Sequence, residues 1–141
     1  MAYQAKRKKL YTEEFQLVDE NDTIVHTLHV ALDPDGIARK LSEKHMALVN
    51  AIQAVSKVDM QTKPSEALEA VGNTATDLLE AVFGTDDART IIEFYDGRYM
   101  EMCIEVIPFV INTVIPTVRR MAQDNKKAIA SGYSRRALRR M

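Results

Sequence analysis

The side chains able to do chemistry are few in this chain, and they are scattered. Cys103 is the single cysteine, and the histidines are His26, His29 and His45. A thiolate nucleophile needs a base at hand and an electropositive setting. Cys103 lies instead in the apolar run MEMCIEVI, far in sequence from every histidine, which predicts a buried structural thiol. His26 and His29 are three apart in a strand-like segment and so face opposite sides, unable to chelate one ion together. His45, with Glu43 and Lys44, reads as a helix surface position. Among the acids, Glu13-Glu14 and Asp86-Asp87 fit a solvated face and a helix start. Glu101 and Glu105 share one helix face at i, i+4, but two carboxylates without a histidine or a third acid make a weak metal site. No GxxxxGK[ST] or GxGxxG loop cradles a phosphate, and no CxxC, HExxH or EF-hand pattern occurs. The expectation is a non-enzymatic protein with no cofactor and no metal.

Charge is the most informative property of composition. The chain has 141 residues and a net charge of −1. Residues 1–9 carry Lys6, Arg7, Lys8 and Lys9, a charge of +4, and residues 119–141 carry eight cations against Asp124, a charge of +7. The intervening 10–118 holds 7 basic and 19 acidic residues, a charge of −12. An acidic body between two basic ends reads either as a solvated domain with basic tails or as a body whose ends contact an acidic partner. Arg135, Arg136, Arg139 and Arg140 are the candidate contacts of the C-terminal end, and Tyr133 lies beside them. A phosphate backbone would suit them, which gives the alternative reading of a small nucleic-acid-binding regulator. Neither a helix-turn-helix nor an aromatic RNA-binding motif supports that reading, so protein is preferred over nucleic acid as partner.

These residues must be held by a small domain. The length fits one, bounded here as 10–130 with basic tails at 1–9 and 131–141. The first fifteen residues lack the apolar run of a secretory signal. The apolar stretch 106–118 has 13 residues and is interrupted by Pro108, Asn112 and Pro116, well short of the ~20 needed to span a bilayer. A reducing, cytoplasmic setting is expected, without a membrane.

Residues 10–32 alternate polar with apolar and β-branched positions around Glu20-Asn21-Asp22, which predicts a β-hairpin. Ile24, His26, Leu28, Val30 and Leu32 should share one face of its second strand, and Val25, Thr27, His29 and Ala31 the other. A lone hairpin is marginal in water and must pack on helices or on another chain. Helices are expected at about 36–58, 64–83, 86–95 and 98–128, from apolar spacing of three and four residues. Asp33-Pro34 and Pro64-Ser65 mark starts, Phe83-Gly84 and Asp96-Gly97 mark stops, and Thr85 should cap the third helix. Pro108 and Pro116 should each kink or split the last one, and the arginine-rich end should fray. The fold class is therefore mainly α: an N-terminal β-hairpin followed by a bundle of about four helices.

The stretch LLEAVFGTDDARTIIEFYDGRYMEMCIEVIPFVINTV, residues 78–114, resembles the C-terminal half of the tail assembly chaperones of long-tailed bacteriophages and prophages. Its features are a Phe-Gly helix stop, a short helix, a Gly turn and an apolar helix ending in polar residues. An opening hairpin followed by a long helix is similar too, so the likeness spans most of residues 8–127. The two prolines of the last helix and the arginine-rich end depart from the pattern. The resemblance implies a role without catalysis, in the cytoplasm of the bacterial host. Such proteins coat the long, aggregation-prone tape measure protein, help recruit tail tube protein and tend to form homo-oligomers. A client of that kind needs an exposed apolar surface on a soluble acidic body. The candidate is the helical stripe Met100, Ile104, Ile107, Ile111 and Ile115; the same stripe equally fits the domain's own core.

Overall fold

The computed structural model describes the backbone of residues 2–7, 10–57 and 64–139, and the side chains of 2–7, 10–55 and 66–132. Strand β1 spans Tyr11–Val18 and β2 spans Ile24–Leu32, paired antiparallel. Four helical rods follow: α1 (Pro34–Lys57), α2 (Pro64–Phe83), α3 (Thr85–Phe94), and a long rod of α4 (Tyr99–Phe109), a π-helical turn (Val110–Val114) and α5 (Ile115–Arg139). The expected class, a hairpin followed by a helical bundle, is the one observed.

The hairpin turn is organised by Asp19, one residue before the segment singled out from sequence. Its Oδ1 accepts from the amides of Asn21 (2.9 Å) and Thr23 (3.0 Å). Asp22 takes the left-handed conformation (φ 61°) that Asp tolerates. The register runs Tyr11 opposite Leu32, Phe15 opposite Leu28 and Leu17 opposite His26, and then shifts so that Val18 faces Ile24. The shift takes Ile24 off the face it was expected to share with His26, Leu28, Val30 and Leu32. Leu28, Val30 and Leu32 are buried, but the extra residue at Val25 reverses the pleat beyond it, and Ile24 is left 52% exposed. His26 is exposed as well.

Asp33 Oδ1 accepts from the Asp35 amide at 3.2 Å, so α1 opens at Pro34, where a missing amide proton costs nothing. Gly84 (φ 86°) lets the chain leave α2 and enter α3 without a gap. Gly84 itself is the cap of α3, and no side chain caps that end, so the role expected of Thr85 is not realised. At the other end Asp96 (φ 52°) and Gly97 (φ 73°) turn the chain, and the Gly97 amide reaches back to the Ile92 carbonyl at 3.2 Å.

One core joins all elements. α1 contributes Leu41 and Leu48, α2 contributes Val71, Ala75, Leu78, Leu79 and Val82, and the long rod contributes Met102, Val106, Val110, Val114 and Val118, each at most 2% exposed. Phe15 of β1, Phe83 of α2 and Phe109 of α4 form an aromatic knot, with ring centroids 4.8–6.1 Å apart, that pins the hairpin onto the bundle. Arg119 donates to Ser42 Oγ (2.7 Å) and Asn125 Nδ2 to Asp35 Oδ1 (2.9 Å), fastening the first half of α5 to α1.

The two prolines do not split the last helix. Phe109, Val110 and Ile115 all keep right-handed helical dihedrals, and the Ile115 amide bonds to the Val110 carbonyl five residues back. Both prolines are exposed, where water can satisfy the carbonyls that lose their partner. The rod also runs on to Arg139 instead of ending near 128, in keeping with the good helix propensity of its Arg, Lys and Ala residues. From Tyr99 to Gly132 it is long and apolar enough to cross a membrane by length and composition alone. Of its apolar window 44% is buried in the bundle, where Met102, Val106, Val110, Val114 and Val118 join the core just described.

Candidate protein-binding surface

The stripe singled out on the last helix is divided by the fold. Ile107 and Ile115 are buried, each 6% exposed, and Ile111 is half-buried. Met100 is 38% and Ile104 68% exposed, and Pro108 follows on the same side. Residues four apart stack in one column along a helix. Met100, Ile104 and Pro108 therefore make an apolar column facing outward, while Ile107, Ile111 and Ile115 make the next column, turned toward the bundle.

On the other flank of the outward column stand Glu101 and Glu105, as their i, i+4 spacing requires. Both line a cleft of about 510 Å³ between α4, the α3–α4 turn and the hairpin turn. Asp19, Glu20 and Asp96 add three carboxylates, and Arg98 is the one cation in the lining. Arg98 contacts Glu101 (3.2 Å) and Asp96 (3.8 Å), both exposed pairs of small energetic consequence. Val18, Phe94 and Tyr95 supply apolar wall, the two rings meeting edge to face at 5.0 Å. Burial pushes the Tyr95 phenol up, and the charges of Glu105 and Glu101 push it further, so it stays a neutral donor. The cleft can thus offer apolar wall and negative charge together. Sequence reasoning missed Val18, Phe94, Tyr95 and the exposed Ile24 and Val25 beside them. The acids and the two turns were visible, but only the fold brings 18–21 to 94–105.

The remaining candidates stay apart. His26 and His29 project from opposite faces of β2, and His29 Nδ1 lies 4.0 Å from Glu14 Oε1 on the exposed face. His45 is half-buried on α1, and Glu43 pairs with Arg39 at 3.0 Å. Cys103 is buried and its thiol is raised by that burial, away from nucleophilic thiolate character. Among the described residues no group of three or more His, Cys, Asp or Glu side chains is placed to hold a metal ion, and the core contains no polar or charged residue. Arg135, Arg136 and Arg139 ride on α5, and Arg140 lies outside the described residues.

Comparison with protein-family models, with curated proteins and with solved structures finds no match for this chain.

Proposed function

We propose that this chain is a non-enzymatic assembly chaperone of the kind used by long-tailed bacteriophages, working in the bacterial cytoplasm on the tape measure protein. The observation that carries the reading is the column Met100, Ile104 and Pro108, left outward on the rod whose other side builds the core, with Glu101 and Glu105 alongside. An apolar strip of this kind can hold an apolar helical client, while the adjoining carboxylates keep the free protein soluble. The resemblance over residues 78–114 supports the same reading, including help in recruiting tail tube protein. Co-expression with the tape measure protein of the same phage genome tests it. The client should become soluble and co-elute, and Ile104→Asp should abolish both effects. A client that stays insoluble with and without the wild-type chain would refute the proposal.

The nucleic-acid reading keeps one observation in its favour, the helical order of α5 through Arg139. It requires duplex DNA or RNA binding that weakens with salt and is lost on deleting residues 133–141. No binding at low salt eliminates it.

A further inference from the structure

Asn125 bonds α5 to Asp35, and Lys126 still lines a shallow hollow beside Asp35, Ala38 and Arg39 of α1. Every described side chain from Lys126 to Gly132 is exposed, and the helix continues through Arg135 and Arg136 to Arg139. This arm of roughly 20 Å carries Lys126, Lys127, Arg135, Arg136 and Arg139 against no acid, and among its described side chains Ile129 is a large apolar one, 61% accessible. Ser131, Gly132 and Ser134 weaken this last stretch of the rod and its cations repel one another, so a surface to lie against would steady it.

The surface that matches it is on the same molecule but out of reach. The cleft beside α4 presents Asp19, Glu20, Asp96, Glu101 and Glu105 around Val18, Phe94 and Tyr95. It can receive both the cations and an apolar side chain such as Ile129. Yet Glu105 and Arg135 belong to one continuous helical rod, roughly 45 Å apart along its axis at 1.5 Å per residue. The rod cannot bring its own ends together.

We infer that the basic arm of one copy docks in the acidic cleft of a second copy. Two copies laid antiparallel satisfy both contacts at once through a two-fold axis, the commonest closure of homo-oligomers. The partner is thus a second copy of this chain, and the docking is independent of whether the outward column binds a client.

Sedimentation velocity on the full chain, across a concentration series at low and high salt, tests the contact. Dimers should form at low salt and weaken at least about tenfold at high salt, because exposed charge pairs are screened. The cleft variant Glu101→Lys/Glu105→Lys and the arm variant Lys126→Glu/Lys127→Glu alter exposed residues only, and circular dichroism should find both folded. Each alone should lose about tenfold or more in self-affinity, corresponding to at least about 1.4 kcal/mol, and an equimolar mixture of the two should associate again. A monomer at every concentration overturns the inference. So does association that ignores both charge reversals, failure of the mixture to recover, or an arm that binds duplex DNA while the chain stays monomeric. Client solubilisation, scored separately with Ile104→Asp, leaves the two proposals distinguishable.

Discussion

Ile104 and Ile107 are three residues apart in one apolar helix, and truncating each should have opposite consequences. Ile107 is 6% exposed and packed in the core, so Ile107→Ala removes buried methylenes and leaves a cavity, at a cost of about 2–5 kcal/mol. For a domain of this size that lowers the melting temperature by roughly 8–20 °C. Ile104 is 68% exposed, so Ile104→Ala should change stability by less than about 0.5 kcal/mol, helped slightly by the better helix propensity of Ala. Binding should reverse the order. Complete burial of an isoleucine side chain is worth about 1.5–3 kcal/mol. The fraction still open on Ile104 therefore leaves about 1–2 kcal/mol for a partner to gain, a five- to thirtyfold change in Kd. Urea denaturation supplies the stabilities, and titration calorimetry with a soluble tape measure fragment supplies the affinities. Equal destabilisation by the two truncations would mean that the column is ordinary core. Undiminished affinity of folded Ile104→Ala would remove the column from the binding surface.

Three further outcomes follow from packing. A Cβ added at Gly72 on α2 would lie 3.0 Å from two ring carbons of Tyr99 and 3.2 Å from a third. Gly72→Ala should therefore lose about 1–3 kcal/mol to overlap, outweighing or cancelling the ~1 kcal/mol gain in helix propensity. In a Tyr99→Ala background the same change should stabilise by about 1 kcal/mol; stabilisation in both backgrounds by urea denaturation would show that the ring yields freely. The Tyr11 phenol is pushed up to about 12, first by burial, then by the charge of Glu13 and the hydrogen bond to it. The folded state thus favours the neutral phenol. That contribution is complete below about pH 10, where the unfolded phenol titrates, and is lost as pH rises through about 12. Tyr11→Phe should flatten the alkaline fall in melting temperature, and an unchanged fall would count against the assignment. Deleting exposed Asn112 from the π-helical turn should leave a cooperatively folding protein, whereas deleting Thr117 beyond the turn should not, with thermal unfolding by circular dichroism as the readout.

The boundaries of most elements could be read from local chemistry, because the residues that start and stop them act on their own backbone. Asp33-Pro34 starts α1, and Gly84 and Gly97 take the positive φ that ends α2 and α3. Where the determinant was a partner far along the chain, sequence reasoning went astray. Alternation put Ile24 on the same face as Leu28, but the register is set by the pairing with β1, where Leu17 faces His26 and Val18 faces Ile24. The cleft is illegible for the same reason: nothing in residues 18–21 or 94–105 announces that the other segment lies opposite.

The long rod makes the point in terms of rotation. Val106, Val110, Val114 and Val118 are all fully buried, yet on an ideal helix the twelve steps from Val106 to Val118 leave those two about 120° apart, at about 100° per residue. A regular helix would begin to turn Thr113 and Thr117 inward in their place. The π-helical turn at Val110–Val114 takes up one extra residue, about 100° of rotation, and brings Val114 and Val118 back over the core. A stripe drawn at constant period from Met100 to Ile115 crosses this phase shift without registering it. It therefore joins residues of the outward column to residues of the inward one. The extra residue also explains the asymmetry expected of the deletions: removing Asn112 leaves eleven steps and about 20° between the two valines, while removing Thr117 rotates Val118 and everything after it off the core.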